Sequence, residues 1–108
     1  MVYIEEAHVS DIGTVFRVTV YDTDSAGATS ALDISAASTK QFIFGKPDGT
    51  TSTKTATFTT DGSNGQLEYS TVSGDLDTAG TWSLQAYFAT SGGSWRTDVG
   101  TFKVYENL

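Results

Sequence analysis

The stretch Gly80-Thr81-Trp82-Ser83-Leu84-Gln85-Ala86-Tyr87-Phe88-Ala89-Thr90 decides the fold. Trp82, Leu84, Ala86 and Phe88 recur at every second position, the period of a strand with one face in a core. It is the longest uninterrupted alternation in the chain and predicts the central strand.

Working outward, the same period appears in Thr14 to Tyr21, where Phe16, Val18 and Val20 share one face, and in Lys40 to Gly45, with Phe42 and Phe44 on one side. Lys46-Pro47-Asp48-Gly49 ends the latter as a turn, with Pro presetting φ at the first corner and Gly accepting positive φ. Thr51 to Thr60 is Thr-rich around Ala56 and Phe58 and reads as one half-exposed strand at or near an edge. Asp61-Gly62 and Asn64-Gly65 bracket a turn into Gln66-Leu67-Glu68-Tyr69, with Leu67 and Tyr69 inward. The polar run Asp22 to Ser30 reads as a mobile loop, followed by a short edge segment, Ala31 to Ile34. Val2 to His8 is expected to pair as a single opening strand.

The last strand, Trp95 to Tyr105, carries a parity conflict: Trp95, Thr97 and Val99 share one face, whereas Phe102 and Val104 fall on the other. A bulge near Val99-Gly100 resolves it, since one extra residue turns all later side chains over. Seven or eight strands separated by turns, with no helical period, predict an all-β antiparallel sandwich. One domain over residues 1–108 is expected.

Composition narrows the function. With 13 acidic against 6 basic residues the formal charge is −7, which disfavours a phosphate backbone as partner. The absence of cysteine removes disulfides, thiol nucleophiles and thiolate metal sites together. No run approaches the roughly 20 apolar residues that span a bilayer, and Met-Val-Tyr-Ile-Glu-Glu is not a secretory leader; neither a membrane nor the secretory route is expected.

Thr78-Ala79-Gly80-Thr81-Trp82-Ser83-Leu84 resembles the Asp-Ala-Gly-x-Tyr-x-Cys corner of immunoglobulin-like domains, where an aromatic at the start of strand F anchors the preceding turn. Trp82 stands where Tyr is usual, Leu84 where Cys is, and the acidic residue, Asp77, sits one position early. A structural corner of Asp77, Gly80 and Trp82 follows from the resemblance.

Four segments carry a wider one: Asp11-Ile12-Gly13-Thr14-Val15-Phe16, Lys46-Pro47-Asp48-Gly49-Thr50, Gly74 to Trp82, and Gly100-Thr101-Phe102-Lys103-Val104. In order and spacing they are similar to the N-terminal sandwich domain of the phage baseplate upper protein family and to small phage virion proteins built on it. The resemblance implies a virion component at tail, baseplate or capsid surface, made in the host bacterial cytoplasm, and no reaction.

Candidate chemistry is thin. His8 is the single histidine, so a Ser-His-Asp triad would depend on the opening strand; an exposed strand-end residue is expected instead. Asp75 and Asp77 could pass for glycosidase carboxylates, but flank a turn where Asp bonds to backbone. Asp22 to Gly27 with Asp33 is similar to a calcium loop, but Ala26 replaces an oxygen ligand and the closing residue is Asp. Gly92-Gly93 lacks the following helix of a phosphate loop and reads as the last hairpin turn.

Catalytic, cofactor and metal residues are therefore not assigned. Partner binding is assigned to aromatics: Tyr87 and Trp95 as outer-face contacts, and Tyr3 and Tyr105 on edge strands open to pairing. The leading expectation is a non-enzymatic virion protein of tail or baseplate, held in symmetric copies by other virion proteins. Capsid decoration is the alternative within that class. A glycan-binding module is the alternative outside it, with Tyr87 and Trp95 lined on one face.

Overall fold

The computed structural model describes residues 2–4, 7–23, 27, 29–97 and 99–107, with residues 2–4, 22–23 and 29 described by backbone alone. Its first strands are β1 (Val2–Ile4), β2 (Ala7–His8), β3 (Val15–Thr19), β4 (Tyr21–Thr23), β5 (Thr29–Ala31) and β6 (Thr39–Gly45). There follow β7 (Thr51–Thr55), β8 (Thr57–Phe58), β9 (Gln66–Ser70), β10 (Gly80–Thr90), β11 (Gly93–Arg96) and β12 (Gly100–Tyr105). The fold is all-β. Among the described residues no helix is long and apolar enough to cross a membrane.

One sheet is antiparallel, in the order β1-β3-β9-β8; the other runs β2-β12-β10-β6-β7, with β11 also on β10. β10 is central, as its alternation requires: Leu84 lies opposite Phe44 on β6 and Gly100 on β12. Trp82, Leu84, Ala86 and Phe88 are all buried.

The inner faces meet through aromatics. Phe16 of the first sheet lies 4.8 Å from Phe102 and 5.3 Å from Phe44 of the second, centroid to centroid. Burying each such ring stabilises by about 1.5–3 kcal/mol, whereas ring-pair geometry adds only about 0.5–1.5 kcal/mol. Removing the rings from water thus stabilises the core more than the way they are angled. The predicted inward residues Phe16, Val18, Val20, Phe42, Phe44 and Leu67 all belong to this core.

Several runs divide differently from expectation. Residues 2–8 are two strands in different sheets, and β2 pairs with β12 in parallel, so that sheet is mixed and not wholly antiparallel. The switch lets Ala7, fully buried, sit beside buried Val104 in the second sheet. Likewise 51–60 breaks at buried Ala56: β7 edges one sheet and β8 the other. The Ala56 N–H donates to the Lys40 carbonyl at 2.9 Å, so the crossing keeps its backbone paired.

Part of the stretch read as a mobile loop is an ordered ribbon, β4 paired with β5. Its polar side chains gave no alternation to read. The described strands therefore number twelve rather than seven or eight.

The parity conflict is resolved as expected. β12 pairs Leu84 with Gly100, whereas β11 pairs Tyr87 with Arg96, a register offset of one residue between Arg96 and Gly100. Phe88 thus opposes Trp95 and Trp82 opposes Phe102, all on one side of the sheet.

Candidate functional site

β10, eleven residues long, extends about 33 Å at roughly 3.3 Å per residue and connects two ends of different chemistry. At its start lies the corner. The Trp82 indole Nε1–H donates to the Thr78 carbonyl at 2.9 Å, and Asp77 Oδ2 accepts from Lys46 Nζ at 3.0 Å. This Lys46 bond chiefly holds the exposed Asp77 carboxyl below its ordinary value.

Lys46 Nζ also stands 5.8 Å from the Trp82 ring centroid. A Cβ on Gly80 would fall 2.8 Å from Pro47 Cγ, so only glycine admits the Lys46-Pro47 turn this closely. Asp77, Gly80 and Trp82 are one assembly, brought together with the turn after β6.

Beside it, Asp75 is tied down three ways: Tyr69 Oη–H donates to it at 2.5 Å, the Val72 N–H at 2.8 Å, and Lys54 Nζ pairs with it at 3.0 Å. Burial pushes the Asp75 carboxyl up, but these three donors outweigh it and the carboxyl titrates below its ordinary value. For Tyr69, burial first and then the hydrogen bond to anionic Asp75 push the phenol up to about 12. Asp75 and Asp77 thus engage separate partners and do not form a carboxylate pair.

The aromatics assigned to partner binding are scattered. Tyr87 is opposite Arg96 and Phe88 opposite Trp95, so Tyr87 and Trp95 occupy opposite faces of the sheet and cannot line one platform. Arg96 lies over the Tyr87 ring at 4.9 Å on the outer face. Tyr105 is partly exposed but not at an open edge, because β2 covers its strand; its ring packs 5.6 Å from His8. His8 is correspondingly half-buried rather than exposed. Tyr3 sits on edge strand β1 opposite Arg17, and its side chain lies outside the described residues.

At the far end of β10, residues 19–21 and 32–34 together with residues of β10 and β11 line a groove of about 670 Å³, within the range of ligand sites. Buried Val20, Ile34 and Phe88 form its floor, while Tyr21 and Trp95, 47% and 48% exposed, stand at its rim. Trp95 stacks on Phe88 at 5.5 Å and 25° between ring planes. Asp33 joins the rim; hydrogen bonds from the Ser35 hydroxyl and N–H hold its carboxyl below the ordinary value.

Of the rim residues the sequence points to Trp95; Tyr21 reads there as a strand end and Asp33 as a calcium-type ligand. The available signal was an aromatic placed where a polar run begins. Of that calcium-like run, residues 24–26 lie outside the described residues and 22–23 are described by backbone alone; among the described residues no group of three or more His, Asp or Glu could hold a metal ion.

Comparison of the chain with protein-family models, with curated proteins and with solved structures finds no match.

Proposed function

We propose that this chain is a non-enzymatic structural component of a bacteriophage particle, seated at the tail or baseplate on an immunoglobulin-like sandwich scaffold. The observation that carries the reading is the convergence of the four segments that bear the resemblance. Gly13 N–H donates to the Thr71 carbonyl at 2.8 Å, just before the corner segment, and Ser10 N–H, just before the first segment, to that of Leu76 at 2.7 Å, so the two segments run side by side. Lys46 and Pro47 meet the corner through Asp77 and Gly80, and Gly80 opposes Val104 of the last segment. Segments that are distant along the chain thus meet around one corner, as elements of a common scaffold would.

Strand order favours the immunoglobulin-like part of the reading. β1-β3-β9-β8 follows the A-B-E-D order of such domains, and β12-β10-β6-β7 follows G-F-C-C′, with Trp82 near the start of F and two residues before Leu84. Virions purified from a phage encoding the chain, separated into heads and tails and quantified by mass spectrometry, test the proposal. Roughly six to a few dozen copies travelling with tails are expected from closed-ring symmetry. Hundreds of copies on heads would make it a decoration protein, and absence from particles would overturn the virion reading.

A further inference from the structure

We propose that the groove between Tyr21 and Trp95 is a binding site for a neutral saccharide. A sugar ring presents apolar C–H faces bordered by hydroxyls, and the groove offers the complement of both. Trp95 is a presented surface, not a stray core residue: Phe88 backs its indole at 5.5 Å, yet 48% of the residue stays exposed. A Cβ at position 93 would lie 3.2 Å from Cη2 and Cζ2 of Trp95, so Gly93 leaves room for the indole to lie over its own strand. A ring held this way loses little rotamer freedom on binding. Tyr21, 47% exposed on a different chain segment, gives a second aromatic surface to the same groove.

The polar rim suits hydroxyls. Asp33 is an acceptor anchored by the Ser35 N–H at 2.9 Å. Thr90 Oγ1 accepts from the Gly92 N–H at 3.1 Å, which leaves its own proton to donate. Arg96 also lines the groove, its guanidinium 4.9 Å from the Tyr87 ring centroid, so among the described residues the lining carries one carboxylate and one cation and no net charge. With a formal chain charge of −7, an anionic polysaccharide would be repelled. An acyl chain would require an enclosed apolar cavity, whereas this one is open and polar at its rim.

None of these contacts depends on a position in a particle, so this inference and the virion reading fail separately. The test is an array of neutral glycans, anionic glycans and peptides probed with the intact chain, followed by calorimetric titration of the strongest neutral oligosaccharide. Trp95→Ala and Tyr21→Ala should each weaken binding at least about tenfold, the loss typical of a central aromatic contact. Val72→Ala, exposed in the loop before the corner at the other end of β10, should leave affinity unchanged. Asp33→Asn, at an exposed position that leaves packing intact, should also weaken binding and keeps the test valid should Trp95→Ala fail to fold. No retained neutral glycan, retention of anionic glycans or peptides only, or full affinity in both Trp95→Ala and Asp33→Asn would overturn the proposal.

Discussion

Trp82 reaches back four residues to bond the backbone carbonyl of Thr78, so a single side chain fastens the corner to the central strand. The indole is 2% exposed, so loss of its donor would leave that carbonyl without its protein partner at the edge of the core. Trp82→Phe should therefore cost about 2–4 kcal/mol, combining an unmet acceptor with incomplete filling. Trp82→Tyr, whose hydroxyl can donate to the same region, should cost less than Trp82→Phe. Urea unfolding of the three proteins decides it, and equal losses in Phe and Tyr variants would mean that the bond contributes nothing beyond volume.

Gly80 and Pro47 make a second, steric contact in the same corner. Gly80 has φ of 135°, and a Cβ there would come within 2.8 Å of Pro47 Cγ. Gly80→Ala is expected to destabilise by about 1–3 kcal/mol from backbone strain and this clash together. Adding Pro47→Ala should return part of the loss, leaving the backbone share. A double-mutant cycle with no coupling between the two positions would show that the clash is absorbed elsewhere.

The Tyr69–Asp75–Lys54 cluster predicts both limbs of a stability profile. Asp75 has a lowered folded pKa, so its contribution is full above the unfolded value near 4 and is lost as pH falls through the folded value. Tyr69 has a raised one, so its contribution is full below about 10 and is lost as pH rises toward about 12. Asp75→Asn should flatten part of the acid limb, and Tyr69→Phe the limb above about pH 10. Each should also lower stability at neutral pH by about 1–3 kcal/mol. Thermal unfolding across pH checks this, and an unchanged alkaline limb in Tyr69→Phe would show that the Tyr69 phenol does not set it.

What the sequence disclosed depended on whether a residue's role is local. Phe42, Leu67 and Trp82 announce themselves by period, and the Lys46 turn by its Pro and Gly, because strand and turn geometry act on neighbours. Ala56 and Ala7 gave no such warning: an alternating pattern states which face is buried but not which sheet the strand has joined. The groove was hidden for a related reason. Tyr21, Asp33 and Trp95 are brought together only when β4, β10 and β11 are arranged around a common end. Placing Tyr87 beside Trp95 would have needed the pairing register, and the register puts them on opposite faces.

That register makes the bulge a testable determinant of the groove. Thr97 pairs with Ala86, its N–H donating to the Ala86 carbonyl at 2.9 Å and its Oγ1 accepting from the Ala86 N–H at 3.0 Å. Gly100 already opposes Leu84, so between these two pairings this strand has one residue more than β10. Deleting exposed Val99 equalises the two strands, and one end must then turn over. Turning β12 would expose Phe102 and Val104 at about 1.5–3 kcal/mol each, whereas Trp95 is already half outside. Trp95 should therefore move to the Tyr87 face while the core persists, with an overall loss of about 1–2 kcal/mol. NMR contacts between the Phe88 and Trp95 rings should vanish in the deletion and survive in Val99→Ala. Their persistence in the deletion would mean that Trp95 is held by its stack on Phe88, independently of strand register.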